Sequence, residues 1–163
     1  MSTIVVFLEA KGNEVKRSSL EAITAAVQIA AGGSVLGIIV GSAADIATAG
    51  AYGLQSCAVA NHSLLNSYSS TAVAATVAQY ASSVGASSVI FPATATGKEL
   101  APRVAVKLQA GFIPDCVALE AQNGTIIASR PVYAGKAKIS AKVSTPVGVY
   151  SLRPNVFTAR KLD

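Results

Sequence analysis

The stretch SSVIFPATATGKELAPRVA, residues 87 to 105, joins a short apolar run typical of a β-strand to a pattern with helical spacing. Leu100, Val104 and Leu108 recur every four positions, which predicts the buried face of a helix. Charged residues at the same spacing form the opposite, exposed face. Pro102 is tolerated best in a first helical turn, so we expect the regular helix to start close to it.

The same strand-to-helix unit occurs three times before this stretch. Apolar β-type runs lie at 3 to 9, 35 to 40 and 57 to 60. Helical patterns follow each, over 17 to 31 with a core stripe, from 42 to about 50, and over 68 to 84. The first two helices carry capping patterns, Ser18 to Glu21 and Ser42 to Asp45. Four such pairs with short connections predict an α/β fold, a parallel sheet with flanking helices and right-handed crossovers, in one domain spanning 1–163.

From Gly111 onward the pattern contains strands alone. Predicted strands cover 112 to 120, 125 to 130, 136 to 143 and 149 to 152. Asn123-Gly124 lies between the first two, and both residues tolerate positive φ, so we expect an antiparallel hairpin there. The third, KAKISAKV, alternates strictly, with Lys136, Lys138 and Lys142 on one face and apolar residues on the other. This C-terminal segment is therefore predicted to be rich in antiparallel strands.

Few residues are available for metal or redox chemistry. The chain has two cysteines, Cys57 and Cys116, and a single histidine, His62, which is too few N or S ligands for a zinc site. A disulfide between the cysteines stays open, but no secretory signal is evident, so we expect a cytoplasmic protein. No pair of residues stands out as an acid and base, and we expect no enzyme activity.

Charge is distributed unevenly along the chain. Two long stretches, between Glu21 and Asp45 and between Asp45 and Lys98, have no charged residue, but Gly, Ser, Thr and Gln interrupt them, so we expect no membrane span. From Lys98 onward, ten basic residues face four acidic ones, which would attract an anion or an acidic partner. No aromatic residues interleave with the lysines of 136 to 142, so we expect no nucleic-acid partner.

The loop at 92 to 98 resembles a phosphate-binding P-loop only in part. Pro92 replaces the first glycine of that motif, and Glu99 replaces its magnesium-binding hydroxyl, so the P-loop interpretation fails. Its remaining polar groups could cap the following helix, or they could bind a phosphate or nucleotide at the helix N-terminus. Both interpretations stay open for Thr94, Thr96, Gly97 and Lys98.

Four sequence blocks occur in an order that resembles the N-terminal domain of the alpha subunit of electron transfer flavoproteins. They are PATATGKELAPRVAVKL, GFIPDCVAL, SRPVYAGKAKI and YSLRPNVF. The resemblance implies a Rossmann-like fold akin to adenine nucleotide alpha-hydrolases, and a beta-type subunit as partner. It also implies that FAD is held mostly by a separate C-terminal flavin-binding domain. We expect that domain to be absent here, so the isolated chain should bind no FAD.

The strand-rich end is the expected contact surface. By this resemblance we assign the partner interface to Arg130, Tyr133, Lys136 and Ile139, and we expect a homodimer through the same strands when no beta subunit is present. The alternative function is a small adenine-nucleotide-binding module of the universal-stress type. Against it, PATATGKE lacks the run of spaced glycines with which such modules wrap ATP phosphates.

Overall fold

A computed structural model describes residues 2–41 and 45–162 of the chain. These residues form eleven strands: β1 (Thr3–Phe7), β2 (Ala10–Lys11), β3 (Glu14–Val15), β4 (Ser34–Val40), β5 (Ser56–Ala60), β6 (Ser88–Pro92), β7 (Gly111–Cys116), β8 (Ala118–Gln122), β9 (Thr125–Val132), β10 (Ala137–Ala141) and β11 (Gly148–Leu152). The helices in the same part of the chain are α1 (Arg17–Ala30), α2 (Ala47–Gly50), α3 (Ser70–Ser83) and α4 (Ala95–Lys107), with one 3₁₀ turn at Ser63–Leu65. All four predicted strand-and-helix pairs are present.

The centre of the fold is a six-stranded parallel sheet in the order β5-β4-β1-β6-β11-β7. β1 is central, with Ile4 opposite Val35 of β4 on one side and Ser88 of β6 on the other. The chain first extends the sheet through β4 and β5, and then crosses to the other side of β1. The strand order therefore reverses between β1 and β6, and such a reversal opens a crevice at the carboxyl ends of the strands.

Two strands of the C-terminal segment join this sheet, which the sequence did not predict. β11 lies between β6 and β7 and is parallel to both. The predicted strand at 112 to 120 is wrong as one element, because Asp115 has a φ of +57° and the chain leaves the parallel sheet after Cys116. Its second half, β8, belongs to a different sheet.

That second sheet is the predicted antiparallel segment, in the order β10-β9-β8. Asn123 and Gly124 have φ values of +49° and +77°, and Gln122 pairs with Thr125 across them. The predicted hairpin is therefore confirmed, with both turn residues in the left-handed region. β10 pairs only with β9 among the described strands and forms an edge.

The two faces of the parallel sheet have separate cores. On one face, α1 and the antiparallel sheet cover a cluster that includes Ile4, Ile23 and Ile90. On the other, α3 and α4 cover a cluster that includes Val77 and Val104. Burying a side chain of this size stabilises the fold by roughly 1.5–3 kcal/mol. α1 is buried on almost every side from Ser19 to Ala26, so the buried surface of this helix is wider than the predicted stripe.

The predicted capping box of α1 is wrong. The helix begins after Lys16, which makes no side-chain capping bond, so Ser18 lies inside the first turn. Glu21 is 2% exposed, and its carboxylate accepts hydrogen bonds from Arg17 Nε at 3.2 Å and from the backbone N–H of Asn155 at 2.9 Å. Its side chain therefore ties the C-terminal segment to α1 instead of capping the helix.

The predicted start of α4 is wrong as well. The helix begins at Ala95, and Pro102 lies in its interior. Proline removes one N–H from the helical ladder, at a cost of about 3 kcal/mol. Leu100, Ala101, Val104 and Ala105 are all buried around it, so packing holds the helix continuous through the proline.

The described parts of the two charge-free stretches fold within these layers. Ser42 of the second predicted capping pattern lies outside the described residues, whereas the Asp45 carboxylate accepts from the N–H of Ala47 at 3.2 Å. Throughout residues 2–41 and 45–162, each helix is too short or too polar to cross a membrane.

Candidate functional site at the carboxyl end of the sheet

Polar groups of the loop after β6 hydrogen-bond to one another. Thr94 has an extended backbone, and its Oγ1 accepts from the N–H of Gly97 at 3.1 Å. The N–H of Lys98 donates to the Thr94 carbonyl at 2.9 Å. Thr94 is therefore the N-cap of α4, and capping is confirmed for this residue.

A buried carboxylate lies beside the cap. The Thr94 hydroxyl donates to Oε1 of Glu9, and Lys16 Nζ donates to Oε2 at 2.7 Å. Glu9 is only 7% exposed, at the end of β1. This carboxylate lies where an anion at the helix N-terminus would approach, and like charges repel. Sequence reasoning missed Glu9, because nothing in its local pattern marks it as a partner of residue 94.

Gly97 and Thr96 have structural surroundings of different kinds. A Cβ on Gly97 would lie 1.8 Å from the carbonyl oxygen of Pro92, so only glycine allows this close approach. Thr96 instead faces a cavity of about 340 Å³ that it shares with Phe7, Lys16 and Tyr68. The glycine therefore serves the turn from strand to helix, and Thr96 does not cap the helix.

Tyr68 lines one side of that cavity and is held in place by a residue of α4. Its hydroxyl donates to Oε2 of Glu99 at 2.8 Å, and Glu99 lies 3.9 Å from Arg103. Partial burial, together with the Glu99 carboxylate, raises the pKa of Tyr68 to about 12. The tyrosine consequently stays protonated at neutral pH and acts as a hydrogen-bond donor.

Further along the same edge, Asp115 is surrounded by positive charge. Its N–H donates to Ser151 Oγ at 2.9 Å, and its carboxylate forms a two-pronged ion pair with Arg153, whose Nε lies 3.0 Å from Oδ1. The hydrogen bonds from Arg153 hold the pKa of Asp115 below its ordinary value, and the charges of Lys98 and Arg130 lower it further. We refer to Lys98, Arg130 and Arg153 around Asp115 as the basic cluster.

Arg130 is the least satisfied member of the basic cluster. Its Nε is buried and has no hydrogen-bond partner in the part of the chain that the structure describes. An unpaired buried donor costs about 1–3 kcal/mol, and more when the group is charged. With three cations around one carboxylate, the cluster has a surplus of positive charge. The arrangement can attract and orient an anionic group.

The structure thus brings together two of the predicted site residues, Lys98 and Arg130. Asp115 and Arg153 were not predicted as part of the site. The excess of basic residues after position 97 was a general signal for the cluster, but their meeting depends on β7 and β11 being neighbours in the sheet.

The other three interface candidates lie on the hairpin between β9 and β10. Tyr133 and Ala134 occupy the turn with φ values of +52° and +54°, and Tyr133 is 81% exposed. Lys136 is exposed, and Ile139 is 43% exposed on the edge strand. This surface is open in the isolated chain.

The cysteines are free and lie in different environments. Burial raises the pKa of Cys57 to about 11 and that of Cys116 to about 12, so neither thiol ionises at neutral pH. Within the described ranges, no three His, Cys, Asp or Glu side chains come together to hold a metal ion.

Comparison with known proteins identifies the family. The model of the electron transfer flavoprotein domain matches residues 4–163, nearly the whole chain. The chain belongs to the electron transfer flavoprotein family. The match includes the basic cluster and the exposed hairpin, and the resemblance carried by the four sequence blocks is confirmed.

Several relatives of the chain are named as electron transfer flavoprotein alpha subunits. The chain is 28% identical over 162 residues to the electron transfer flavoprotein subunit alpha of Bacillus subtilis, covering 98% of this chain and 50% of that protein. It is 31% identical over 160 residues to a probable mitochondrial alpha subunit of Cryptococcus neoformans, covering 94% and 45%. Protein FixB of Clostridium saccharobutylicum is 28% identical over 165 residues, covering 97% and 49%. The chain spans about half the length of these relatives.

Proposed function

We propose that this chain acts as the N-terminal domain of an electron transfer flavoprotein alpha-type subunit, which docks a beta-type subunit and helps to frame FAD in an electron carrier between dehydrogenases and an acceptor. The observation that carries the proposal is the family match over residues 4–163. The alpha-subunit relatives, aligned over almost the whole chain, support it. The chain's own part is to bind and position, and we assign it no catalytic residue.

The contact with the beta-type subunit is proposed to use the β9–β10 hairpin. Ile139, 43% exposed on β10, and Tyr133, 81% exposed in the turn before it, offer apolar area, and β10 has no second neighbour among the described strands. Such an edge must be covered or blunted by charge, and Lys136 and Lys138 supply only the charge. A partner that pairs with β10 would bury Ile139 and leave the lysines at the rim.

The basic cluster is proposed to face the flavin-bearing part of the assembly. FAD carries a pyrophosphate, and a buried Arg130 Nε without an acceptor is suited to an anion or an acidic side chain of that part. When bound, the flavin supplies the electron-transfer chemistry. The residues of this chain contribute positive charge and a rigid edge of the sheet. We propose that the purified 163-residue chain alone binds FAD no tighter than ~100 µM.

The compartment is proposed to be the cytoplasm. Both cysteines are free, as is usual for proteins of a reducing compartment. The nucleotide-binding alternative has less support, since Thr94 caps α4 and the Glu9 carboxylate lies beside the loop.

Reconstitution of the flavin tests the proposed function. The chain is mixed with a beta-type subunit, the flavin-binding C-terminal half of an alpha subunit of the family, and FAD, and the mixture is separated by gel filtration. We expect stoichiometric flavin absorbance in a complex that contains all three polypeptides, and colourless fractions for the chain alone. A flavin complex that forms equally well without this chain would contradict the proposal.

A further inference from the structure

A separate cavity of about 400 Å³ lies at the amino end of the parallel sheet, far from the basic cluster. Ile4, Ser88, Gly148 and Tyr150 form its floor, and the end of α1 and the β8–β9 turn form its walls. Its volume falls within the range of small-molecule sites, about 300–1,000 Å³.

The hydroxyl groups of two largely buried residues line this cavity. Tyr150 is 2% exposed and Ser88 is 4% exposed, and neither hydroxyl has a hydrogen-bond partner among the described residues. Ser88 pairs with Gly148, two residues before Tyr150, so both side chains lie on the same face of the sheet. Neither oxygen is among the fully buried, unpartnered polar atoms of the described residues, so both hydroxyls open on the cavity and can hydrogen-bond a molecule there.

Gly148 makes room for the tyrosine. A Cβ at this position would come within 2.5 Å of the Tyr150 hydroxyl oxygen and within 2.9 Å of the ring. The ring therefore lies over the glycine and carries its hydroxyl toward the amino end of the sheet. Burial raises the pKa of Tyr150 to about 12, so the hydroxyl keeps its proton and can donate a hydrogen bond to an acceptor.

The remaining lining determines the charge of a ligand. Ile29 and Ile126 are apolar walls, and none of the described residues that line the cavity is charged. An ion would lose its hydration there without gaining a counter-charge, whereas a neutral molecule would not. The exposed Ala31, Asn123 and Pro146 border the cavity and form its mouth.

We propose that this cavity binds a small uncharged organic molecule, about the size of one substituted ring, whose carbonyl or similar oxygen accepts hydrogen bonds from Tyr150 and Ser88. The proposal is independent of the docking function proposed above. It depends on the cavity, on two unpartnered hydroxyls and on the absence of charge among the described lining residues.

The test uses acetophenone as a probe and ethylbenzene, which lacks the oxygen, as its control. Each is titrated up to its solubility into the ¹⁵N-labelled full chain, and amide shifts are followed by NMR. We expect saturable shifts at Gly148 and Thr125 with acetophenone. Tyr150→Phe should weaken acetophenone about three- to tenfold and leave ethylbenzene unchanged, because one neutral hydrogen bond is lost.

Tyr80→Phe, on α3 at the opposite face of the sheet, is the matched control and should bind both probes like the wild type. If Tyr150→Phe does not fold, Ser88→Ala is titrated in its place, with the same expectation. The proposal is overturned if acetophenone gives no saturable shift, if its shifts lie away from the cavity, or if the hydroxyl-deleting variant binds it as tightly as the wild type. It is also overturned if ethylbenzene binds the wild type as tightly as acetophenone.

Discussion

Two carboxylates organise the carboxyl end of the sheet at the scale of single residues. Glu9 accepts hydrogen bonds from the cap of α4 and from Lys16, and Asp115 holds Arg153 across two neighbouring strands. The Glu9 carboxylate repels an anion that approaches the start of α4. The Asp115 carboxylate neutralises only one of the three cations around it, so the basic cluster keeps a net positive charge.

The cap gives a prediction for stability. Thr94→Ala should lower the free energy of unfolding by about 0.5–2 kcal/mol, since Gly97 N–H loses its acceptor and Glu9 loses a donor. Urea unfolding followed by circular dichroism measures the change. Thr96→Ala is the control and should have a smaller effect, because Thr96 makes no capping bond. Equal losses for the two variants would contradict the assignment of the cap.

The Asp115–Arg153 pair gives a pH dependence. The pKa of Asp115 is lowered from its ordinary value of 3.8, chiefly by Arg153. A carboxyl whose folded-state pKa is depressed contributes stability above its unfolded pKa and loses it as pH falls through the folded value. The stability gap between wild type and Asp115→Asn should therefore narrow as pH falls below 3.8. Urea unfolding measured over that range checks it.

Arg153→Gln is the matched control for the pair, because it removes the cation and keeps the carboxyl. The gap between wild type and this variant should narrow over the same pH range. A gap that stays constant down to the lowest pH at which the protein folds would show that the pair contributes no pH-dependent stability.

Half of the basic cluster could be predicted from sequence and half could not. Lys98 was a candidate because it follows the loop after the fourth predicted strand, and Arg130 because of the SRPVYAGKAKI block, whereas the blocks that contain Asp115 and Arg153 gave no sign of an ion pair. To place Asp115 in the site, one would have to know that its φ is positive, and to place Arg153 there, that β11 lies beside β7. Neither fact has a local signal, because strand adjacency depends on which long-range pairing buries the most apolar surface.

At the scale of elements, local patterns located strands and helices well, and their ends less well. The hairpin at Asn123-Gly124 was predictable because two residues that tolerate positive φ lie between β-type runs. The start of α4 was not, since the rule that places proline in a first turn was overridden by burial on both sides of Pro102. The capping box of α1 failed similarly, because Glu21 serves a long-range contact.

Interior Pro102 gives a prediction for α4. Pro102→Ala restores an N–H that can donate to the Lys98 carbonyl and should raise the free energy of unfolding by about 1–3 kcal/mol. Urea denaturation measures this. Arg103→Ala, the exposed neighbour, should change stability by no more than about 0.5 kcal/mol. A destabilised Pro102→Ala variant would contradict this, because it would show that the packing lost with the proline ring outweighs the restored hydrogen bond.

At the scale of the whole molecule, the edge strand β10 is covered at its C-terminal end and open at its N-terminal end. Ala141, at the end of β10, and Val143, two residues beyond it, pack against the core, but Ile139 remains 43% exposed. The open part lies at the hairpin of Tyr133. We predict that the isolated chain pairs with itself there, in a two-fold interface of more than ~1,000 Å².

Ile139→Asp tests this self-association by sedimentation or light scattering. The variant should remain folded, since residue 139 is outside both cores, and should shift the chain from dimer to monomer. Val106→Asp is the matched control, because Val106 is 78% exposed on α4, away from the hairpin, and should leave the dimer intact. A chain that is monomeric before any substitution would refute the homodimer.

Calorimetric titration of a beta-type subunit of the family into this chain tests the docking role most directly. We predict a saturable one-to-one heat with the wild type and with Val106→Asp, and a loss of about 2 kcal/mol or more in binding free energy with Ile139→Asp, as for a residue central to an interface. No heat with the wild type, or equal affinity for Ile139→Asp, would contradict docking through the β9–β10 hairpin.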